Sequence, residues 1–122
     1  MILDKTELWE KGNRRLRKVA KEYREKDCFV VMREEQKSGV DLEVFSADGK
    51  LQKVIECTNY AHNWEYIDGL KLKRYIDTLN LYDALPDVVK ELHVSYSENL
   101  SRRQKKLLAM NNIEVVVWGC QD

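Results

Sequence analysis

The sequence predicts an α/β fold: a mixed five-stranded sheet flanked by helices, in the order αβββαβαβ. Two observations predict it. Apolar positions recur at helical spacing in three stretches and at strand spacing, or as short β-prone runs, in five others. Three of those runs follow one another directly, which gives an antiparallel meander. The last two each follow a helical stretch, which gives β-α-β crossovers and a parallel continuation.

Asp4-Lys5-Thr6-Glu7 reads as a capping box that starts the first helix, with Trp9, Leu16, Val19, Ala20 and Tyr23 inward. Gly12 weakens this helix locally and suggests a close approach. The helix is expected to end near Lys26-Asp27. Cys28–Met32 is a short apolar run and reads as a strand. Residues 34–39 read as a polar loop. Leu42–Phe45 and Leu51–Cys57 pair as a hairpin, with Asp48-Gly49 suited to a two-residue loop. After a loop over 60–63, a second amphipathic helix runs to about Leu81, burying Ile67, Leu70, Tyr75, Ile76 and Leu79. Pro86, the only proline, falls in a connection. Leu92–Tyr96 alternates and reads as a strand. Ser101-Arg102-Arg103-Gln104 is a second capping box, opening a helix that Asn111-Asn112 ends. Ile113–Trp118 is a strongly β-prone last strand.

One domain over residues 1–122 is the natural reading, long enough for a real core. The 43% apolar fraction excludes a disordered chain. With 21 basic and 21 acidic residues the net charge is zero, so an argument for nucleic-acid binding must come from local clusters. Three widely spaced cysteines, Cys28, Cys57 and Cys120, form no framework and indicate a reducing compartment. No run approaches a membrane span and the N-terminus carries no signal-like apolar stretch, so a cytoplasmic location is expected and no membrane partner.

The chemistry concentrates in Ser38-Gly39-Val40-Asp41-Leu42 and Val54-Ile55-Glu56-Cys57-Thr58. Asp41 opens one apolar strand and Glu56 lies inside the next. Alternation puts Glu56 and Thr58 on one face, with Ile55 and Cys57 on the other. A carboxylate in an apolar strand is costly unless a cation or donor meets it, and two side by side favour a hard divalent cation.

This pattern resembles the PD-(D/E)xK nuclease superfamily of restriction-endonuclease-like fold, and within it the archaeal Holliday-junction resolvases. The order of elements is that of the restriction-endonuclease-like core. The resemblance implies Mg²⁺ (or Mn²⁺) held by Asp41, Glu56 and the backbone carbonyl of Cys57. Lys11-Gly12 and the basic helix after it look like the start of that family, and Arg33 with Ser38-Gly39 like the segment before its metal-binding Asp. Three positions depart. Thr58 stands where the family has its catalytic lysine, Leu16 where the resolvases have a first-helix Glu, and Val40 where a proline precedes the motif Asp.

Thr58 supplies a hydroxyl but no positive charge. Some superfamily members take the lysine from the following helix, where this chain has Lys71 and Lys73. Lys71 precedes Tyr75 by four residues, a spacing that resembles the QxxxY helix of some relatives and places both on one helix face. His62 and His93 fit no zinc cluster, no serine lies in a nucleophile elbow, and no Gly-rich phosphate loop is present. Three basic clusters remain: Arg14-Arg15 with Arg17-Lys18, Lys71 with Lys73-Arg74, and Arg102-Arg103 with Lys105-Lys106. In the expected fold the first two flank the carboxylates, where they suit backbone phosphates. Tyr60, Trp64 and Tyr66 are placed to stack on unpaired bases or to pack.

The leading reading is a divalent-metal-dependent DNA endonuclease, with branched DNA as its finer expectation, acting as a homodimer by analogy with the resolvases. The alternatives are a catalytically degenerate member of the fold that binds DNA or serves as an interaction subunit, and a protein-interaction module with no nucleic-acid role.

Overall fold

A computed structural model of the chain describes residues 5–32 and 39–119, with side chains from Glu10 onward. Within them the elements are α1 (Lys5–Arg24), β1 (Phe29–Met32), β2 (Leu42–Phe45), β3 (Leu51–Cys57), α2 (Gly69–Asn80), β4 (Val89–Val94), α3 (Arg102–Met110) and β5 (Ile113–Val117), with a short 3₁₀ turn at Ser97–Asn99. The sheet order is β1-β2-β3-β4-β5. β1–β2 and β2–β3 pair antiparallel, whereas β3–β4 and β4–β5 pair parallel. The mixed sheet flanked by helices is as expected. The Asp4 cap, Arg33, Ser38 and Cys120 lie outside the described residues.

Strand alternation divides the core in two. Leu42, Val44 and Ile55 meet Leu16, Val19 and Ala20 of α1 on one face. Val54, Leu92 and Val94 meet Ile67, Leu72, Ile76 and Leu79 of the α2 segment, with Leu108 of α3, on the other. Each α2 or α3 residue at that interface removes apolar surface from water, which is what fixes the helices on the sheet.

Four local expectations are corrected. The β2–β3 connection is not a two-residue loop. It closes through Ser46 N–H to Lys50 O (2.8 Å) and Gly49 N–H to Ser46 O (2.9 Å), with Gly49 at φ 86° and a register shift at Val44/Phe45. The second helix starts only at Gly69, capped by Asp68, whose carboxylate accepts from Lys71 N–H. Leu70 is therefore in the first turn and 70% exposed, while Leu72 takes the buried position. Finally, β4 begins at Val89, before the expected Leu92, and so includes Lys90 and Glu91, both buried. Charged residues hid the strand start in the sequence. Each is buried only because partners meet it: Lys90 bonds Asn80, Asp83 and the Asn111 carbonyl, and Glu91 bonds Lys53 and His93.

Candidate active site

Asp41 and Glu56 meet where β2 begins beside the end of β3. The Asp41 N–H donates to Glu56 Oε1 (2.8 Å), and the Cys57 N–H donates to Asp41 Oδ2 (2.8 Å). Each carboxylate is thus held by backbone of the other's segment, a reciprocal clasp that β2–β3 pairing creates. Glu56 is buried and points to the α2 side, as does Val54, while Ile55 packs under α1. Burial, and then the charge of Asp41, push Glu56 up to about 8, against the opposing Asp41 hydrogen bond. Asp41 is also raised, chiefly by burial, with the Cys57 N–H working against the shift. Neither carboxylate forms an ion pair with a cationic side chain among the described residues.

α2 supplies the opposite wall. Lys71, Arg74, Tyr75 and Thr78 stand on one helix face, at i, i+3, i+4 and i+7, and with Glu56 line a cavity of about 240 Å³. Lys71 is half-buried, with its Nζ 5.3 Å from the Tyr60 ring centroid. Tyr75 is raised well above the usual phenol range. Burial is the main cause, opposed by the Thr58 hydroxyl and reinforced by the charges of Glu56 and Asp41. Tyr60 is raised by burial and likewise opposed by Thr58.

Thr58 is therefore at the site, on the Glu56 side, and 3% exposed. Its N–H bonds the His93 carbonyl (2.9 Å), yet its Oγ1 is buried with no partner at hydrogen-bond geometry, although Tyr60 and Tyr75 lie close by. Cys57 points to the α1 face, where burial lifts its thiol to about 12 and leaves it inert.

The sequence-predicted residues thus divide. Asp41, Glu56, Cys57, Thr58, Lys71 and Arg74 gather at one place. Lys73 does not: it is exposed and ion-paired with Asp77 (3.1 Å), because two positions from Lys71 is the far side of a helix. Arg15 is corrected most firmly. It is 0% exposed, donates to Asn59 Oδ1 (3.1 Å) and Ser95 Oγ (2.9 Å), and lies over the Trp118 ring, so it is a structural member of the α1 interface and unavailable to a phosphate. Arg14, Arg17 and Lys18 are exposed on α1, on the other face of the sheet from Lys71 and Arg74, so the first cluster does not flank the cavity wall. Thr78 was missed, although its seven-residue offset from Lys71 carried the signal.

The donor set fits a hard divalent cation: two adjacent carboxylates, both raised chiefly by burial, with no cationic partner among the described residues. No group of three or more His, Cys, Asp or Glu side chains gathers among the described residues. Such an ion would complete its shell with carbonyl, water and phosphate oxygens, which is how Mg²⁺ is commonly held.

No family model matches the chain, and no curated protein matches it. Among solved structures it is similar to a repair endonuclease from Pyrococcus abyssi, with a TM-score of 0.57 at 19% identity over 90% of this chain. The fold is thus a nuclease-like α/β fold. The match covers 46% of that protein, so the chain spans under half its length. No helix among the described residues is long and apolar enough to cross a membrane.

Proposed function

We propose that this protein is a divalent-metal-dependent DNA endonuclease of the PD-(D/E)xK type. The observation that carries the reading is the Asp41–Glu56 clasp, two raised carboxylates without a counter-ion among the described residues, of which Glu56 lines a cavity walled by Lys71 and Arg74. Asp41, Glu56 and the Cys57 carbonyl are the proposed ligands of Mg²⁺ or Mn²⁺. When bound, the ion would polarise the phosphodiester and lower the pKa of a water. The chain's own residues do the rest. Lys71 takes the part of the lysine that Thr58 replaces, bringing positive charge to the phosphate from α2 rather than from β3. Arg74, one turn along, holds a neighbouring phosphate. The Thr58 hydroxyl, set beside Tyr60 and Tyr75, orients water or a phosphate oxygen.

The nuclease-like fold shared with a repair endonuclease supports a DNA substrate, and branched DNA is the finer form of that reading. The homodimer implied by the resolvase resemblance belongs to the same proposal, and sedimentation with and without DNA tests it. The direct experiment is cleavage of plasmid and of a four-way junction with Mg²⁺ or Mn²⁺, with Glu56→Gln as control. Metal-dependent cleavage lost in that variant supports the reading. An inert parent under every divalent metal would transfer the fold to a binding role.

A further inference from the structure

The loop that leaves Thr58 and returns to α2 at Asp68 carries two large aromatic side chains in solvent, Trp64 (67% exposed) and Tyr66 (65% exposed). Its tip is braced from every side. Asn99 Nδ2 donates to the carbonyls of His62 (3.0 Å) and Glu65 (2.7 Å), Asn99 O accepts from Ile67 N–H, and Gln104 Nε2 donates to Ile67 O (2.7 Å). Glu65 caps His62 N–H, and Glu98 accepts from Asn63. On this frame Trp64 stacks on His62 with centroids 4.0 Å apart and planes at 8°. The His62 Nε2 is buried without a hydrogen-bond partner, so ring contact rather than a polar bond orients the imidazole. One indole face is occupied, and the side chain still presents most of its surface to water. A rigid, solvent-facing indole contributes little to a core and is already ordered for a flat ligand.

The third basic cluster stands beside it. Gln104 ties α3 to this loop, and Arg102 and Arg103 occupy the first turn of α3, both exposed and neither ion-paired among the described residues. Cations at a helix N-terminus oppose the helix dipole, so these arginines are not there to stabilise α3. Together with the helix terminus they make a positive field suited to phosphates. The acidic neighbours Glu65 and Glu98 each commit an oxygen to the loop. At the other end of the loop, Tyr60 lies under Lys71 at the cavity.

Resting on the nuclease reading for its substrate class, we propose that Trp64 and Tyr66 form a stacking platform for unpaired bases, with Arg102 and Arg103 binding the phosphates between them. The strand entering the cavity past Lys71 then continues single-stranded over the loop, so the preferred substrate has an unpaired segment next to the bond that is cut. Stacking is indifferent to base identity, so this selects structure and not sequence.

The test uses the non-cleaving Glu56→Gln protein and fluorescence anisotropy with a blunt duplex and the same duplex bearing a single-stranded tail. Tighter binding of the tailed DNA is expected. Trp64→Ala is expected to weaken tailed binding by about 5- to 100-fold while leaving blunt binding unchanged, with Trp64→Phe restoring most of it. Arg102→Ala with Arg103→Ala lowers the salt dependence of tailed binding. Thermal melting checks that the exposed substitution leaves the fold intact. Equal binding of both DNAs, or a Trp64→Ala effect equal on both, overturns the platform. Cleavage by the wild-type protein is scored separately: a tail preference that depends on Trp64 in a protein that cuts nothing sinks the nuclease reading and keeps the platform, and cleavage without a tail preference does the reverse.

Discussion

The two faces of the sheet treat charge in opposite ways. Beneath α1, Lys53 bonds the Tyr23 hydroxyl (2.7 Å) and Glu91 (2.8 Å), Glu91 bonds His93 Nε2 (2.9 Å), and His93 Nδ1 accepts from Trp118 Nε1 (3.0 Å). The indole can only donate, so Nδ1 is the acceptor and Nε2 carries the proton given to Glu91. Arg15 closes a second network with Asn59 and Ser95. There Lys53 and Glu91 answer each other, and the Arg15 guanidinium meets the oxygen acceptors of Asn59 and Ser95. Burial raises Glu91, but His93 and Lys53 outweigh it and hold the carboxyl below its ordinary range. Facing α2, burial and a like charge raise Glu56 and no counter-ion among the described residues answers. Both faces contain buried carboxylates in strands, and only the pairing separates structure from site. Buried charge by itself is a poor mark of function. Buried charge left unbalanced in a cavity is a good one.

The sharpest way to break this contrast is to neutralise one carboxylate on each face. Glu56→Gln keeps an oxygen to accept from Asp41 N–H. It is expected to cut metal-dependent cleavage by about 10²-fold or more. The same variant is expected to raise the melting temperature of the metal-free protein above the ordinary Glu range of pH, since folding must protonate a carboxyl that is pushed up to about 8, whereas an amide does not titrate. A fall in melting temperature would place Glu56 with the structural charges.

On the α2 wall, Lys71→Met is expected to lower the cleavage rate by on the order of 10²-fold, with melting unchanged. Lys73→Met, which disrupts only an exposed pair with Asp77, leaves the rate at the parental value. Thr58→Lys in the Lys71→Met background restores part of the rate by returning the charge to β3. Equal rates for both lysine variants would detach Lys71 from the chemistry.

Beneath α1 the expected effect falls on stability. Glu91→Gln leaves Lys53 partly buried without its counter-charge and is expected to cost about 2–3 kcal/mol in urea unfolding. The sign with pH follows from the depressed carboxyl. Its contribution is fully present above the ordinary Glu range and is lost as pH falls through the lower folded value. The acid limb of the parent's stability profile is therefore steeper than the variant's, and superimposable limbs would remove Glu91 from the network. The smallest effect is at Gly12. A Cβ there would lie 4.0 Å from Asn59 Cβ, an ordinary contact, so no close approach demands glycine. Gly12→Ala is expected to stabilise α1 by up to about 1 kcal/mol, read from the same unfolding curves.

Much of this organisation was legible in the chain. Period-2 alternation separated Ile55 from Glu56 and correctly assigned them to opposite faces, because side-chain direction in a strand depends on parity alone. The Ser101 capping box was readable because both of its hydrogen bonds are local, and the structure contains both. The order of elements implied a mixed sheet, since directly connected strands and helix-connected strands obey different chain-geometry rules. The start of β4 was not legible. Lys90 and Glu91 look like surface residues until Asn80, Asp83, Asn111, Lys53 and His93 arrive from elements distant in sequence. Nor was the fate of the arginines in the first cluster: Arg14 and Arg15 are adjacent and chemically identical, and only the packing of α1 puts one in solvent and the other against Trp118. The same holds for Lys71 and Lys73. The sequence by itself determined which residues share a face, because that depends on local backbone periodicity. Only the tertiary structure decided which charges are balanced, because a charge is paired by whatever the fold carries to within a few ångströms of it, and sequence distance does not measure that.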